Sequence, residues 1–281
     1  MDDRTAAIRE IIGALPPVSL TMPMRNPRGR FERTFMGPLL FDYAIAVGLL
    51  PRGTTGGGLG NCYFMATAAD GFRVAVALAE TARRFTPKQV ILAYEQDGEP
   101  LETGVRLVVP GDDLGGRSLA GVVEIELKQV EHGIVPDAPG LQLTGLLERP
   151  GPVTPGFDGL PRREVETLAS PRHGGRIVPG ERYGGVLLWD LLDAAGVRID
   201  PDLREDVLGK VVVVRSEDGY AAVIAAGEIE PRFMAGPVIV ADRRAAGPLT
   251  ESEGAFRLIV PCDGAAGRSV KRLASLELID A

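Results

Sequence analysis

Gly37-Pro-Leu-Leu-Phe-Asp42 and Gly185-Val-Leu-Leu-Trp-Asp190 are two versions of one hexapeptide, 148 positions apart (185 − 37). The offset persists outward. Gly48 falls on Gly196, Asp70-Gly71-Phe72 on Asp218-Gly219-Tyr220, Glu80 on Glu228, Arg84-Phe85 on Arg232-Phe233, and Pro100-Leu101 on Pro248-Leu249. After a short insertion in the second copy the offset becomes 151 (257 − 106). It then pairs Arg106-Leu-Val-Val-Pro110 with Arg257-Leu-Ile-Val-Pro261, and Gly116-Arg117-Ser118 with Gly267-Arg268-Ser269. A register held over this span marks a tandem duplication. The Gly- and Pro-rich stretch His132 to Gly140 reads as the linker, which places the boundary near residue 135 and the two repeats at 1–135 and 136–281.

Within a repeat, Leu187 to Ala195 carries apolar residues on a helical face and stops at Gly196, an expected C-cap. Lys210 to Arg215 is a β-branched run and reads as a buried strand, turning at Asp218-Gly219 as a hairpin does. Pro237 to Ala241 and Phe256 to Val260 are further strands, as are the closing segments 122–127 and 273–279. The N-terminal segment has Ala6, Ile8, Ile11, Ile12 and Leu15 in helical spacing behind acidic residues, an amphipathic helix rather than an export signal. Strands outnumber helices and no βαβ alternation appears, so the expected class is mixed α+β, rich in β.

The 281 residues carry 31 Lys and Arg against 38 Asp and Glu, a net charge of −7, which argues against a general nucleic-acid surface. No window approaches the roughly 18 uninterrupted apolar residues needed to span a bilayer. Two cysteines far apart form neither a CxxC pair nor a Cys/His cluster, so no structural metal site is expected and a reducing, cytoplasmic setting is.

The order Gly185-Val-Leu-Leu-Trp-Asp190, Asp218-Gly-Tyr220, Phe256-Arg-Leu-Ile-Val-Pro261 and Gly267-Arg-Ser-Val-Lys-Arg-Leu273 resembles the molybdopterin-binding domain of the sulfite oxidase family. Leu143-Thr-Gly-Leu-Leu-Glu-Arg-Pro150 is similar to that domain's opening strand. The resemblance covers 141–281 fully and 18–127 in part. It implies two tandem sulfite-oxidase-type domains, the second more complete, and a molybdopterin cofactor whose phosphate is held by Arg, His and Lys side chains. It also implies a cysteine thiolate on molybdenum. Here that place reads Glu166-Thr-Leu-Ala-Ser170-Pro-Arg-His-Gly-Gly-Arg176, with Ser170 at the cysteine's position and Met22 at its counterpart in the first repeat. A serine alkoxide is a conceivable metal ligand, but a lone Ser after a strand ordinarily serves a turn. A neutral thioether suits a hard, high-valent metal poorly.

What remains is an anion-binding constellation of Arg172, His173 and Arg176 in one Gly-rich turn with Arg268, Ser269 and Lys271 in another. Arg offers phosphate a planar fork, Lys a mobile charge, and glycine lets backbone N–H groups approach closely. The same charges could be solvated loop residues. The first repeat keeps Arg25, Asn26, Arg28, Arg117 and Ser118 but has Ala120 where the second has Lys271, so the second repeat is the expected binder. Cys62 is expected on a buried strand, and Cys262 in the loop leading to the Arg268 turn. Asp70 and Asp218 read as turn residues, and a Ser170/His173 hydrolytic pair lacks an orienting acid.

Two functions follow. One is a divergent, non-catalytic protein, binding a pterin cofactor or similar anion and available to a protein partner. The other is an active molybdopterin-dependent oxidoreductase, or a subunit paired with a redox partner, with a non-cysteine metal ligand. Duplication further implies repeats packed about an approximate twofold axis, with no nucleic acid and no membrane as partners.

Overall fold

A computed structural model describes residues 2–26, 29–54, 58–83, 85, 88–112, 115–133, 140–154, 156–168, 170–171, 177–233 and 237–281. The expected boundary near residue 135 falls outside them. The β-branched run expected as a strand is one: Lys210–Ser216 pairs antiparallel with Ala221–Ala225 on one side and Leu273–Asp280 on the other. Cys62–Ala68 sits in the same way between Arg73–Ala77 and Val122–Gln129. Both hairpins turn at Asp-Gly, where the aspartate accepts the N–H of the residue two further on and the glycine takes a positive φ, 84° at Gly71 and 85° at Gly219.

The rest of each repeat follows a common plan. Arg182–Leu187 pairs with Ile239–Arg244, which also pairs with Arg257–Ile259. In the first repeat Gly29–Gly37 pairs with Glu95–Gln96, and Ile91–Ala93 pairs with Arg106–Val108. The glycine opening the repeated hexapeptide explains itself at this join. A methyl group at Gly37 would lie 2.0 Å from the Leu92 carbonyl oxygen, and one at Gly185 the same distance from that of Val240. Only a residue without Cβ lets the strand pass there. The chain then turns directly into the helices Leu40–Ala46 and Leu188–Ala195, the latter closed by Gly196 at φ 79°.

The architecture corrects the expected α+β class and the tandem sulfite-oxidase fold. The chain is 40% strand and 16% helix, mostly β, and among the described residues the strands divide into small sheets of two to five strands. The helices of the repeated unit span seven and eight residues, two turns each, too short to form a layer over a sheet. The N-terminal helix, Asp3–Gly13, instead lies against the closing strand of the first sheet, where Thr5 donates its hydroxyl to the Val122 carbonyl. In the second repeat the corresponding closing strand is flanked by Gln142–Gly145, paired in parallel. Among the described residues no helix is long and apolar enough to cross a membrane.

The two halves meet face to face through Tyr63, Met65 and Ala75 from one sheet and Val211, Val223 and Ala281 from the other. The contacts are reciprocal. A methyl group at Gly116 would lie 2.2 Å from the ring of Phe233, and one at Gly267 would lie 2.9 Å from the ring of Phe85, so each repeat's phenylalanine covers the other's glycine. Both rings are buried, and neither glycine has a positive φ, so these glycines are required by packing rather than by backbone strain. Gly116→Ala is therefore expected to cost about 1–3 kcal/mol by overpacking. Urea denaturation would show it, with Gly267→Ala the milder of the two; an unchanged midpoint in both would mean the aromatic contacts do not hold the halves together.

Candidate functional site

Beneath the paired glycines lie the two arginines that follow them. Arg117 is fully buried; its Nε and Nη2 donate to Asp112 at 3.0 and 2.9 Å, and its Nη1 donates to Glu80 at 2.8 and 3.0 Å. Arg268 repeats the arrangement with Asp263 at 2.8 and 2.7 Å and Glu228 at 2.7 and 3.0 Å. The clusters adjoin: a methyl at Gly227, next to Glu228, would fall 2.6 Å from Cδ of Arg117. Lys88 adds a third positive charge, its Nζ 3.7 Å from Glu80.

Burial raises the pKa of a carboxylate, but its charged neighbours can reverse the direction. Glu80 is nonetheless pulled down, because Arg117, Lys88 and Arg268 surround it. Glu228 is pushed up by burial and by the charge on Glu80, and Asp112 by burial in spite of Arg117. Both arginines are held firmly protonated by their carboxylates.

The structure thus gives Arg268 a different position from that expected of a phosphate ligand: its guanidinium faces inward and is occupied on both sides. Ser269 is half-buried and accepts the Val260 N–H on its Oγ at 3.1 Å, while Lys271 is exposed. Arg172, His173 and Arg176 lie outside the described residues. Ser170 is placed only by its backbone, in the two-residue strand Ser170–Pro171 paired with Ile177–Val178. Met22 is buried among Phe35, Leu39 and Ile91, filling core. Of the first repeat's turn, the side chains of Arg25 and Asn26, and all of Arg28, are likewise outside the described residues.

The described residues that lead into the first of the second repeat's two turns do reach the other. Leu168 donates its N–H to the Pro261 carbonyl, and a cleft of about 70 Å³ opens between Thr167, Leu168 and Glu181 on one side and Asp263 and Ser269 on the other. Arg257 and Tyr183 form its floor. Arg257 Nη1 donates at 2.5 Å both to the Tyr183 hydroxyl and to Glu253; the tyrosine hydroxyl also contacts Glu181 and Glu253, and Glu181 pairs with Arg244. Burial alone would raise Glu253, but the N–H and hydroxyl of Thr250, Tyr183 and Arg257 together hold it down to about 2.

Cys262 is exposed and lines a separate pocket on the far side of Asp263, with Lys88, Glu80 and Arg268; Cys62 is buried, and burial pushes its thiol up. His132 is exposed, yet it is a tether: Nδ1 accepts the Ala221 N–H at 2.9 Å and the ring stacks on Tyr220. A cavity of about 680 Å³ lies at the junction of the repeats between Asp70–Arg73 and Arg198–Lys210. Its acids and bases are mixed, as Arg204 covers Phe72 and Lys210 is paired with Asp206 and Asp280.

In the sequence Glu80 and Glu228 recur, as do Arg117 and Arg268, but their spacing does not join acid to base. The usable signal was an acid embedded in an apolar run, Val74 to Glu80 and Val223 to Glu228, which cannot be buried without a cation. No family model and no curated protein matches the chain.

Removing either buried arginine takes from two buried carboxylates the cation that hydrogen-bonds them. Arg117→Ala and Arg268→Ala are both expected to cost about 3–5 kcal/mol, by urea or thermal unfolding; a loss under about 1 kcal/mol, the size for exposed pairs, would contradict the burial. The acid limb offers a second check. A carboxylate with a lowered folded-state pKa stabilises above its unfolded value, here 4.5, and loses that contribution as pH falls toward about 2. Glu253→Gln should remove that part of the pH dependence, and identical stability profiles for variant and parent between pH 5 and 2 would refute it.

Proposed function

We propose that this chain is an anion-binding protein of the pterin-cofactor class that works without a Cys-ligated molybdenum, and that its second repeat receives the ligand's phosphate. The observation that carries this reading is the cleft that Thr167 and Leu168, which lead into the Gly- and base-rich turn, form with Asp263 and Ser269 of the second turn.

The cleft's size limits what enters. About 70 Å³ suits a phosphate-sized group, whereas sites that enclose a drug-sized ligand run to several hundred Å³. The ring system would therefore lie outside, toward the exposed face that bears Lys271. The chemistry asked of the protein is recognition and orientation: Lys271 supplies a mobile positive charge and the turn supplies backbone N–H groups. Arg268 contributes by holding Asp263 and the loop in place. Ser170 stands where a thiolate would be required, and both cysteines lie elsewhere, which favours binding over oxygen-atom transfer. A cytoplasmic setting, where the cofactor is held by soluble proteins or redox subunits, fits this reading.

Protein purified from its native host, analysed for metal by mass spectrometry and for oxidised pterin by fluorescence, tests it. Pterin with little molybdenum or tungsten is the expected result. Near-stoichiometric metal with pterin would instead establish an oxidoreductase and make Ser170 the first residue to mutate; neither, in a host that makes the cofactor, would sink pterin binding. Lys271→Ala is expected to lower pterin retention at least severalfold without changing stability by more than about 0.5 kcal/mol, as for exposed surface substitutions.

A further inference from the structure

The first repeat has its own version of the cleft's floor, and its charges are not balanced. Arg257 and Ser269 line the second-repeat cleft, and the 151 offset puts Arg106 and Ser118 at the equivalent points of strand Arg106–Val108 and the turn after it. In the second repeat the guanidinium is answered from within by Tyr183 and Glu253, with Glu181 behind the tyrosine. In the first repeat Phe35 stands for Tyr183 and Arg33 for Glu181, so a hydroxyl has become a ring edge and an acid has become a base.

The consequence is visible at each atom. The Arg106 guanidinium carbon lies 5.8 Å from the centre of the Phe35 ring, and among the described residues it has no hydrogen-bond or ion-pair partner. Its Nε is buried and unbonded, as is that of Arg257, so the repeats differ in what meets the rest of the guanidinium. Ser118 Oγ is also buried without a partner, whereas its counterpart Ser269 Oγ accepts a backbone N–H. Burial disfavours the charge on Arg106, but arginine does not surrender its proton in proteins. A cation and two unsatisfied polar atoms in one half-buried place are costly unless something outside the chain completes them. The complement is an acceptor with several oxygens and negative charge, which a guanidinium fork and a hydroxyl recognise together.

We propose that the first repeat binds a tetrahedral oxyanion, free phosphate or the end of a phosphomonoester, at Arg106 and Ser118. The site is separate from the second-repeat cleft and does not rest on the pterin reading. Duplication would then have produced one repeat that carries its own counter-ion and one that recruits it.

Isothermal titration of inorganic phosphate, and separately of phenyl phosphate, into the Lys271→Ala protein at constant ionic strength isolates this site from the second cleft. The expected result is one saturable site, with the tighter of the two ligands telling ester from free ion. Arg106→Met should weaken binding at least about tenfold, the size expected for losing a hydrogen bond to a charged group. Because that variant could misfold, the double substitution Arg33→Glu with Phe35→Tyr provides a second test. It keeps Arg106 but gives it a hydroxyl like that of Tyr183, one of the two groups bonded to Arg257, with an acid behind it as Glu181 stands behind Tyr183, and it should weaken binding as well. No saturable binding, or equal affinity in the parent and in both folded variants, would overturn the proposal while leaving the pterin reading to its own measurement.

Discussion

The structure turns on burying two arginines, each between two carboxylates, where the repeats meet. Among the described residues four acids there face two guanidiniums and Lys88, and the crowding shows in Glu228, whose pKa is pushed up by burial and by the charge on Glu80. Such a cluster is weak evidence for high stability, since desolvation offsets most of its Coulomb gain, but breaking it is costly. Its demand for partners at fixed positions also favours one arrangement of the halves over any slipped alternative. The glycines before each arginine let the opposite phenylalanine seal the cluster from water.

That constraint redistributes the functional roles. Arg117 and Arg268 are conspicuous in a Gly-Arg-Ser motif, yet both serve as internal cations, so recognition of any ligand falls to groups around them. In the second repeat the proposal gives that role to Lys271 and to the turn after Leu168, near a cleft floor where Arg257 is already neutralised. In the first repeat the floor itself is unsatisfied, because Phe35 replaces the Tyr183 hydroxyl and, among the described residues, no carboxylate meets Arg106 as Glu253 meets Arg257. The repeats therefore share a framework and differ in the charge balance of one pocket, the kind of change that duplication permits without disturbing the core.

Much of this was legible along the chain. The fixed offset, the Asp-Gly hairpins and the helix ending at Gly196 each depend on local chemistry, and local chemistry survives in a sequence. The α+β class was not legible. Leu40–Ala46 and Leu188–Ala195 have helical periodicity but only two turns, and whether a short helix forms a layer is decided by what packs on it. The arginine clusters were half legible: the recurring charges were plain, but the partners lie 37 to 40 residues apart for the glutamates, a pairing that only the tertiary fold creates. Ser269 and Ser118 are identical in sequence and differ only in whether a backbone N–H reaches them.

Native-state hydrogen exchange tests most directly the claim that the shared cluster makes both repeats one cooperative unit. The amides of Val74 to Ala77 in the first repeat and of Val211 to Val214 in the second should exchange with the same opening free energy, equal to that of global unfolding, and both should fall together in Arg117→Ala. Exchange of one set at a distinctly lower free energy, with the other unaffected, would show two independently stable halves and contradict the account.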